Sequence, residues 1–343
     1  MTTGVIVGAT GAVGEDLRRL IAERQVPLDE VRMVGSERSV GRKVPFRGGQ
    51  VEMARLTPKL FDGAAVAFFS AGGGVSRDWA RVAAERGAIV VDNSSAWRMH
   101  DQVPLVDADV NPEAAADHPL GIVANPNCTT LTITPALNAL DALAGLVSIA
   151  PTSFQAAGGS GQAGIDELLT QSAQLVGERE LLRSGGKPEA LPAGDKFPHP
   201  IAFNVIPQCM GFTDDGYTVE ELKLRDEPRK ILGLPELASA PTCVRVPVVV
   251  GHSVSVRAVC RGPVDPDAFR AALQDAPCVT VMDDLATNTY PTPLELAGTD
   301  GTFVGRIRRD LSDPNAVMFW AVADNLRKGA ALNAVQIGEV LLR

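Results

Sequence analysis

The N-terminal segment sets the strongest constraint on what this chain can fold into. Val5, Ile6 and Val7 are a short apolar run of the kind that makes a buried parallel strand. Gly8-Ala9-Thr10-Gly11-Ala12-Val13-Gly14 follows at once, and Leu17, Leu20 and Ile21 then recur at helical spacing. A strand, a glycine turn and a helix in immediate succession open a βαβ unit, and such a helix start favours negative charge. The spacing is G-x-x-G-x-x-G rather than the stricter G-x-G-x-x-G. Taken alone it suits either a dinucleotide phosphate site or a glycine turn that holds nothing.

The alternation continues. Val31–Val34, Ala64–Phe69 and Ile89–Val91 are further strand candidates, with Trp79, Val82 and Ala83 marking a helix between them. Strands alternating with helices predict an N-terminal α/β domain with a doubly wound parallel sheet of Rossmann type. After about Asn125 the character changes. Residues 145–153 and 315–323 read as strands, and Val244–Val259 alternates as one long, half-buried antiparallel strand would. The expectation is a second, α+β domain with a mostly antiparallel sheet. Ala330, Ala334, Ile337 and Leu341 keep a helical period, which predicts a C-terminal helix returning to the first domain. The expected division is 1–127 with 325–343 for the first domain and 128–324 for the second. Gly185–Pro200, rich in Gly, Pro and charge, reads as a surface loop.

Composition narrows the ligands. A chain of 343 residues suits about two domains, and its net charge of −9 offers no electrostatic footprint for nucleic acid or an anionic membrane. Any anionic ligand must be met by a local set of Arg and Lys. The cysteines Cys128, Cys209, Cys243, Cys260 and Cys278 are scattered and form neither a C-x-x-C pair nor a cluster with the four histidines, so no metal site is expected. Their odd number suits a reducing compartment. No apolar run is long enough to span a bilayer and no signal peptide is recognisable, so a cytoplasmic protein is expected.

Ser36-Glu37-Arg38-Ser39 stands just past the second strand, where an NAD site usually presents an acid to the ribose. Two hydroxyls and a guanidinium instead suit a 2′-phosphate, with Glu37 turned to solvent. A solvated polar loop accounts for the same residues. Ser70-Ala71-Gly72-Gly73 follows the third strand, at the end where ligands of such sheets bind.

Asn125-Pro126-Asn127-Cys128-Thr129-Thr130 delivers a cysteine to a helix start, where a thiolate, the reactive form, is favoured. Pro135 is expected to interrupt that helix, leaving a short first turn. A buried, inert cysteine is the competing reading. A base for the thiol is available in His252, within Arg245-Val-Pro-Val-Val-Val-Gly-His252. Seven residues apart on one strand, Arg245 and His252 would face opposite ways, unless Gly251 makes a bulge. Gln155 before Ala156-Ala157-Gly158-Gly159-Ser160-Gly161, Arg98 after Asn93-Ser94-Ser95-Ala96-Trp97, and the pair Glu220 and Lys223 say little singly.

Together and in this order, these motifs are highly specific. Over nearly its whole length the chain resembles the aspartate-semialdehyde dehydrogenase family. The resemblance implies that Cys128 is the acylated nucleophile, His252 the general acid/base, and Gln155 a group that orients the substrate. It implies that Arg245 binds the substrate α-carboxylate, Glu220 its ammonium, and Arg98 and Lys223 the phosphate, with Asn127 also at the substrate. NADP contacts would fall on Gly8, Thr10, Gly11, Ala12, Val13, Gly14, Ser36, Arg38, Ser39, Ser70, Gly73, Asn93, Gly158, Gly159 and Asn325, the last being a position where relatives often carry Gln. The implied reaction is NADPH-dependent reduction of L-aspartyl-4-phosphate to L-aspartate 4-semialdehyde and phosphate, through a thioester, in a homodimer built on the second domain. Two rivals remain at this point. An N-acetyl-γ-glutamyl-phosphate reductase shares the cysteine chemistry, but its substrate has no free ammonium for Glu220. A non-catalytic NADP-sensing protein would have no use for Cys128 and His252.

Overall fold

Val5, Ile6 and Val7 are fully buried because they lie in the middle of a sheet covered on both faces. The computed structural model describes residues 1–186 and 191–343, so residues 187–190 of the expected Gly185–Pro200 loop lie outside the described residues. The chain divides into two units. The first comprises Met1–Asn138, Asp226–Glu236 and Leu326–Arg343, and the second Ala139–Arg225 and Leu237–Asn325.

The first unit opens with β1 (Thr3–Val7), α1 (Ala12–Glu23), β2 (Glu30–Val34), β3 (Lys43–Phe46), β4 (Gly49–Ala54), β5 (Ala64–Phe69), α2 (Gly72–Glu85), β6 (Ile89–Asp92) and β7 (Ile122–Ala124). The strand order is β3-β4-β2-β1-β5-β6-β7, all parallel except β3 against β4. The chain winds outward from β1 through β2, then returns to place β5 on β1's other side. That reversal opens a crevice beyond the carboxyl ends of β1 and β5. Ile6, Leu17, Leu20, Ile21, Met33 and Phe68 pack on one face of the sheet, while Val5, Val7, Phe61, Ala80, Ala83 and Val90 pack on the other. Each such side chain contributes about 1.5–3 kcal/mol on burial, Ala less.

A buried π-helical turn, Arg327–Leu332, and a C-terminal helix, Asn333–Leu341, belong to this unit. Ala334, Val335 and Ile337 join the Ile6 core, so the terminal helix does return to the first domain.

α3 (Cys128–Ala144) corrects one expectation: it runs without interruption through Pro135. The proline removes the amide that would bond to the Leu131 carbonyl, at a cost of roughly 3 kcal/mol. Complete burial of Leu131, Ile133 and Leu137 exceeds that cost at about 1.5–3 kcal/mol each.

The second unit contains β8 (Leu146–Gln155), α4 (Gln162–Leu175), α5 (Arg179–Ser184), the start of α6 (Val219–Leu232), β9 (Ala238–Ser239), β10 (Thr242–Arg245), β11 (His252–Cys260), α7 (Pro266–Gln274), β12 (Val279–Val281), α8 (Pro293–Leu296), β13 (Thr302–Arg309) and β14 (Ala316–Ala323). The C-terminal helix is α9. The sheet runs β10-β8-β11-β14-β13-β12, with β9 also paired to β8. Its long central pairings are antiparallel, but β10 and β9 on β8, and β12 on β13, are parallel. The sheet is therefore mixed.

The expected single strand Val244–Val259 is in fact two strands on opposite sides of β8. β10 runs parallel to β8 and ends at Arg245, whereas β11 runs antiparallel to it and starts at His252. Gly251 makes a corner rather than a bulge. Its φ is +100°, and a Cβ there would lie 2.7 Å from Pro293 Cβ, so glycine is required on both counts. Alternation alone could not reveal this, because the polarity pattern passes straight through the turn.

Candidate active site

In the first unit the turns after β1 and β5 lie back to back. A Cβ on Gly8 would stand 2.3 Å from the Ser70 carbonyl oxygen, and one on Gly14 would stand 2.0 Å from the Gly8 carbonyl oxygen. The Gly8 and Ala9 amides bond to Val34 O at 2.8 and 2.9 Å, which ties the turn to the end of β2. Gly11 is the N-cap of α1 and supplies no capping side chain, and Ala12, Val13 and Gly14 form the helix's first turn. Their amides are the orphan donors that an anion satisfies. Gly72 and Gly74, at the start of α2, have open space where a side chain would be, and Gly73 meets only the tip of Arg77.

Past β2, Ser36 Oγ and Ser39 Oγ are 3.3 Å apart and Thr10 Oγ1 is close by across Gly35. Arg38 is exposed. Glu37 is drawn aside into a surface ion pair with Arg55 at 3.0 Å. These residues fit a dinucleotide: small turns for the diphosphate, with hydroxyls and a guanidinium at the ribose end.

Asn127 Oδ1 accepts the Thr129 amide at 2.9 Å, which caps the helix that Cys128 begins. Asn127, Thr129 and Thr130 are buried, while Cys128 is partly exposed. A Cβ on Gly329 would lie 2.9 Å from Cys128 Cβ, so the π-helical turn packs directly on the cysteine. Two other thiols, Cys243 and Cys260, are buried. Burial raises the Cys243 pKa far above the usual range and Cys260 to about 11, which keeps both protonated.

Arg98 is buried. Its Nε donates to Asn125 O at 2.8 Å, its Nη2 to Asn93 O at 3.3 Å, and its Nη1 to Glu227 at 3.0 Å. Asn93 Oδ1 also accepts from Asn125 Nδ2 at 2.6 Å. Glu227 completes the arrangement by accepting the Asn127 amide at 2.7 Å. Sequence reasoning did not single out Glu227. Nothing distinguishes it from the other acids of a charged helix.

The second unit gathers another set. Gln155 Nε2, at the end of β8, donates to Glu220 Oε1 at 3.2 Å and to Ser153 Oγ at 3.3 Å. Lys223 Nζ pairs with Glu220 Oε2 at 2.9 Å, and both sit on α6. Arg245 Nη1 donates to Ala156 O at 2.7 Å, and the guanidinium lies 5.8 Å above the centre of the Phe197 ring. His252 Nδ1 accepts the Ala156 amide at 3.0 Å. A backbone N–H can only donate, so the neutral ring carries its proton on Nε2. Burial, and secondarily the Arg245 charge, lower the His252 pKa to about 3, opposed by Glu220. Gly159 fits between Arg245 and His252: a Cβ there would lie 3.1 Å from Arg245 Nη1 and His252 Nε2. Asn325 Oδ1 holds the Gly251 amide at 2.8 Å. Its buried Nδ2 has no partner among the described residues and lies near Gly158. A buried amide donor left over in this way suits a polar ligand group.

The predicted residues thus assemble as two sets. Arg98, Asn127, Cys128 and the glycine turns belong to the first unit, and Gln155, Glu220, Lys223, Arg245, His252, Gly158, Gly159 and Asn325 to the second. Among the described residues, no three His, Cys, Asp or Glu side chains form a group suited to a metal ion. Nor, among them, is any helix long and apolar enough to cross a membrane.

A doubly wound sheet with glycine turns at the carboxyl ends of β1 and β5 is the architecture of a dinucleotide-binding protein. Comparison with known proteins is more specific. Residues 4–118 match the model for the semialdehyde dehydrogenase NAD binding domain, and residues 137–328 that for the semialdehyde dehydrogenase dimerisation domain. An aspartate-semialdehyde dehydrogenase of Streptomyces akiyoshiensis is 46% identical over 338 residues, covering 98% of this chain and 97% of the relative. One from Bacillus subtilis is 42% identical, covering 98% and 96%. The structure of aspartate-semialdehyde dehydrogenase II from Vibrio cholerae, complexed with ASA, superimposes with a TM-score of 0.92 at 39% identity, covering 100% of this chain and 98% of that one. The chain belongs to the aspartate-semialdehyde dehydrogenase family, oxidoreductases of amino-acid biosynthesis.

Proposed function

We propose that the protein is an NADP-dependent, phosphorylating aspartate-semialdehyde dehydrogenase. It would convert L-aspartyl-4-phosphate to L-aspartate 4-semialdehyde and phosphate on the route to lysine (through diaminopimelate), threonine and methionine. The observation that carries this reading is the second unit's cluster, in which one buried carboxylate, Glu220, and one buried guanidinium, Arg245, both act on His252. Those two charges complement a free α-amino acid, with Glu220 for the ammonium and Arg245 for the carboxylate. An N-acetylated substrate has no ammonium to add to the contacts that Glu220 makes with Lys223 and Gln155.

Cys128, as thiolate, attacks the acyl carbon; the bond to the phosphate oxygen breaks and phosphate leaves. Arg98 and Lys223 are assigned to that phosphate. The nicotinamide ring, when bound, supplies the hydride. The C–S bond then breaks, aldehyde departs and Cys128 recovers its thiolate. His252 is assigned as the general acid/base; uncharged, its Nε2–H donates a hydrogen bond to the acyl oxygen where negative charge develops, and Gln155 orients the acyl group. Asn127 supports the substrate site by capping the cysteine's helix.

NADP rather than NAD is supported by Ser36, Arg38 and Ser39 at the ribose end, with Glu37 held away by Arg55. The remaining contacts are assigned to Gly8, Thr10, Gly11, Ala12, Val13 and Gly14, to Ser70, Gly73 and Asn93, and to Gly158, Gly159 and Asn325, whose unpaired Nδ2 is a ready donor. Residues 1–127 and 325–343 would bind the dinucleotide, and 128–324 would carry catalysis and dimerisation. A cytoplasmic homodimer acting on small molecules, with no nucleic-acid or membrane partner, is the corresponding assembly.

The test is turnover of aspartate semialdehyde with phosphate and NADP, beside N-acetylglutamate semialdehyde and beside NAD. Cys128→Ala should abolish turnover and leave NADP binding intact, and an intact-mass adduct should map to Cys128. Turnover of the N-acetylated aldehyde alone would overturn the substrate, and an active Cys128→Ala would overturn the thioester.

A further inference from the structure

Glu227 is 1% exposed, and its two oxygens have different duties. Oε1 accepts from Arg98 Nη1 at 3.0 Å, and Oε2 from the Asn127 amide at 2.7 Å. Asn127 is the residue before Cys128 and caps its helix. Three residues further along α6, Lys230 Nζ donates to the carbonyls of Arg98, His100 and Val103 at 2.8, 2.9 and 2.8 Å. One stretch of helix therefore grips Arg98 by side chain and by backbone, and grips the nucleophile's turn as well. Arg98 donates three N–H groups to the protein and keeps two of its five for a ligand.

We infer that Glu227 is a positioning residue, whose single carboxylate fixes the Arg98 guanidinium and the Asn127-Cys128 turn relative to each other. The inference rests on the reading above, in which Arg98 meets the phosphate and Cys128 the acyl carbon. Under that reading the leaving group and the attacked carbon are held by groups spaced through one side chain, so misplacing either costs rate rather than nucleotide affinity. A carboxylate present only to neutralise a buried cation would stabilise the fold without coupling the two groups.

The experiment compares the full-length protein with Glu227→Gln, Glu227→Asp, Arg98→Met and the double variant Arg98→Met/Glu227→Gln. Steady-state kinetics are measured with aspartate semialdehyde, phosphate and NADP, and amide hydrogen exchange is followed over Asn125–Thr130. For Glu227→Gln, kcat/KM for phosphate should fall about tenfold or more while KM for NADP stays within about twofold. Exchange over Asn125–Thr130 should quicken, and the double variant should be no worse than Arg98→Met by more than about twofold. Unchanged phosphate kinetics in a folded Glu227→Gln, or losses that multiply in the double variant, would overturn the coupling. If Glu227→Gln does not fold, Glu227→Asp, which keeps the charge and shortens the reach, is judged by the same criteria. If the parent shows no turnover with these substrates, the functional reading fails, and exchange alone then decides this inference: unaltered protection in the variants ends it.

Discussion

Ala156 has no side-chain chemistry, yet its backbone holds one group assigned to catalysis, His252, and one assigned to the substrate, Arg245. Its carbonyl accepts from Arg245 and its amide donates to His252 Nδ1. Gly159 lies against both side chains, and its φ is outside the left-handed region. Gly159→Ala should therefore fold, press its methyl on both groups, and lower kcat about tenfold with little change in melting temperature. Equal kcat in the variant would show that the contact is slack. His252 also links pH to stability. Unfolded, its imidazole titrates near pH 6.5; folded, near about 3. Between those values the unfolded chain takes up a proton that the folded chain refuses. Its contribution is thus fully present above about pH 6.5 and is lost as pH falls toward 3, at up to about 1.4 kcal/mol per pH unit. Urea melts across that window should show a shallower slope for His252→Gln than for the parent. At this scale motif order singled out Cys128, His252 and Gln155, whose roles the assays proposed above test. It was silent on Glu227, which is a polar helix residue like its neighbours until the fold buries it between two donors.

Among the elements, the turn between β1 and α1 leaves least room for change. Gly14 has the Gly8 carbonyl oxygen 2.0 Å from where a Cβ would be. Gly14→Ala must displace backbone, which should cost about 1–3 kcal/mol in stability. NADP affinity should fall with it, because the amides of α1's first turn move; thermal melts and a binding titration would read both. Parallel strands such as β1 and β5 were readable as continuous apolar runs because both of their faces are covered. The hairpin of β3 and β4 escaped notice because its alternation is short: Val44 and Phe46, then Val51 and Met53, alternate with Lys43, Pro45, Gln50 and Glu52, but each run ends at once and Pro45 argues against a strand. β10 and β11 were fused in the reading for the opposite reason, since their alternation stays in phase across the Gly251 corner. Pro135 misled because its local cost is visible in sequence, whereas the burial that outweighs it is not.

For the whole molecule, the homodimer proposed above predicts sedimentation at twice 36.1 kDa. Phe203, Val205, Met210 and Phe212 of the second unit are more than half exposed, more apolar surface than one short segment usually leaves in water. Phe203→Asp with Phe212→Asp should shift the protein to monomer if that surface pairs, and an unmoved sedimentation coefficient would place the interface elsewhere. The acidic net charge was legible from composition, and with it the need for local cations such as Arg98 and Arg245 at any anion site. The first unit's dispersed make-up has a consequence for biosynthesis. Ala334, Val335 and Ile337 of its core leave the ribosome after every residue of the second unit. The nascent N-terminal sheet must wait, incompletely covered, until the whole second unit has been translated. Over that span of elongation its uncovered apolar face is the surface that chaperones must shield.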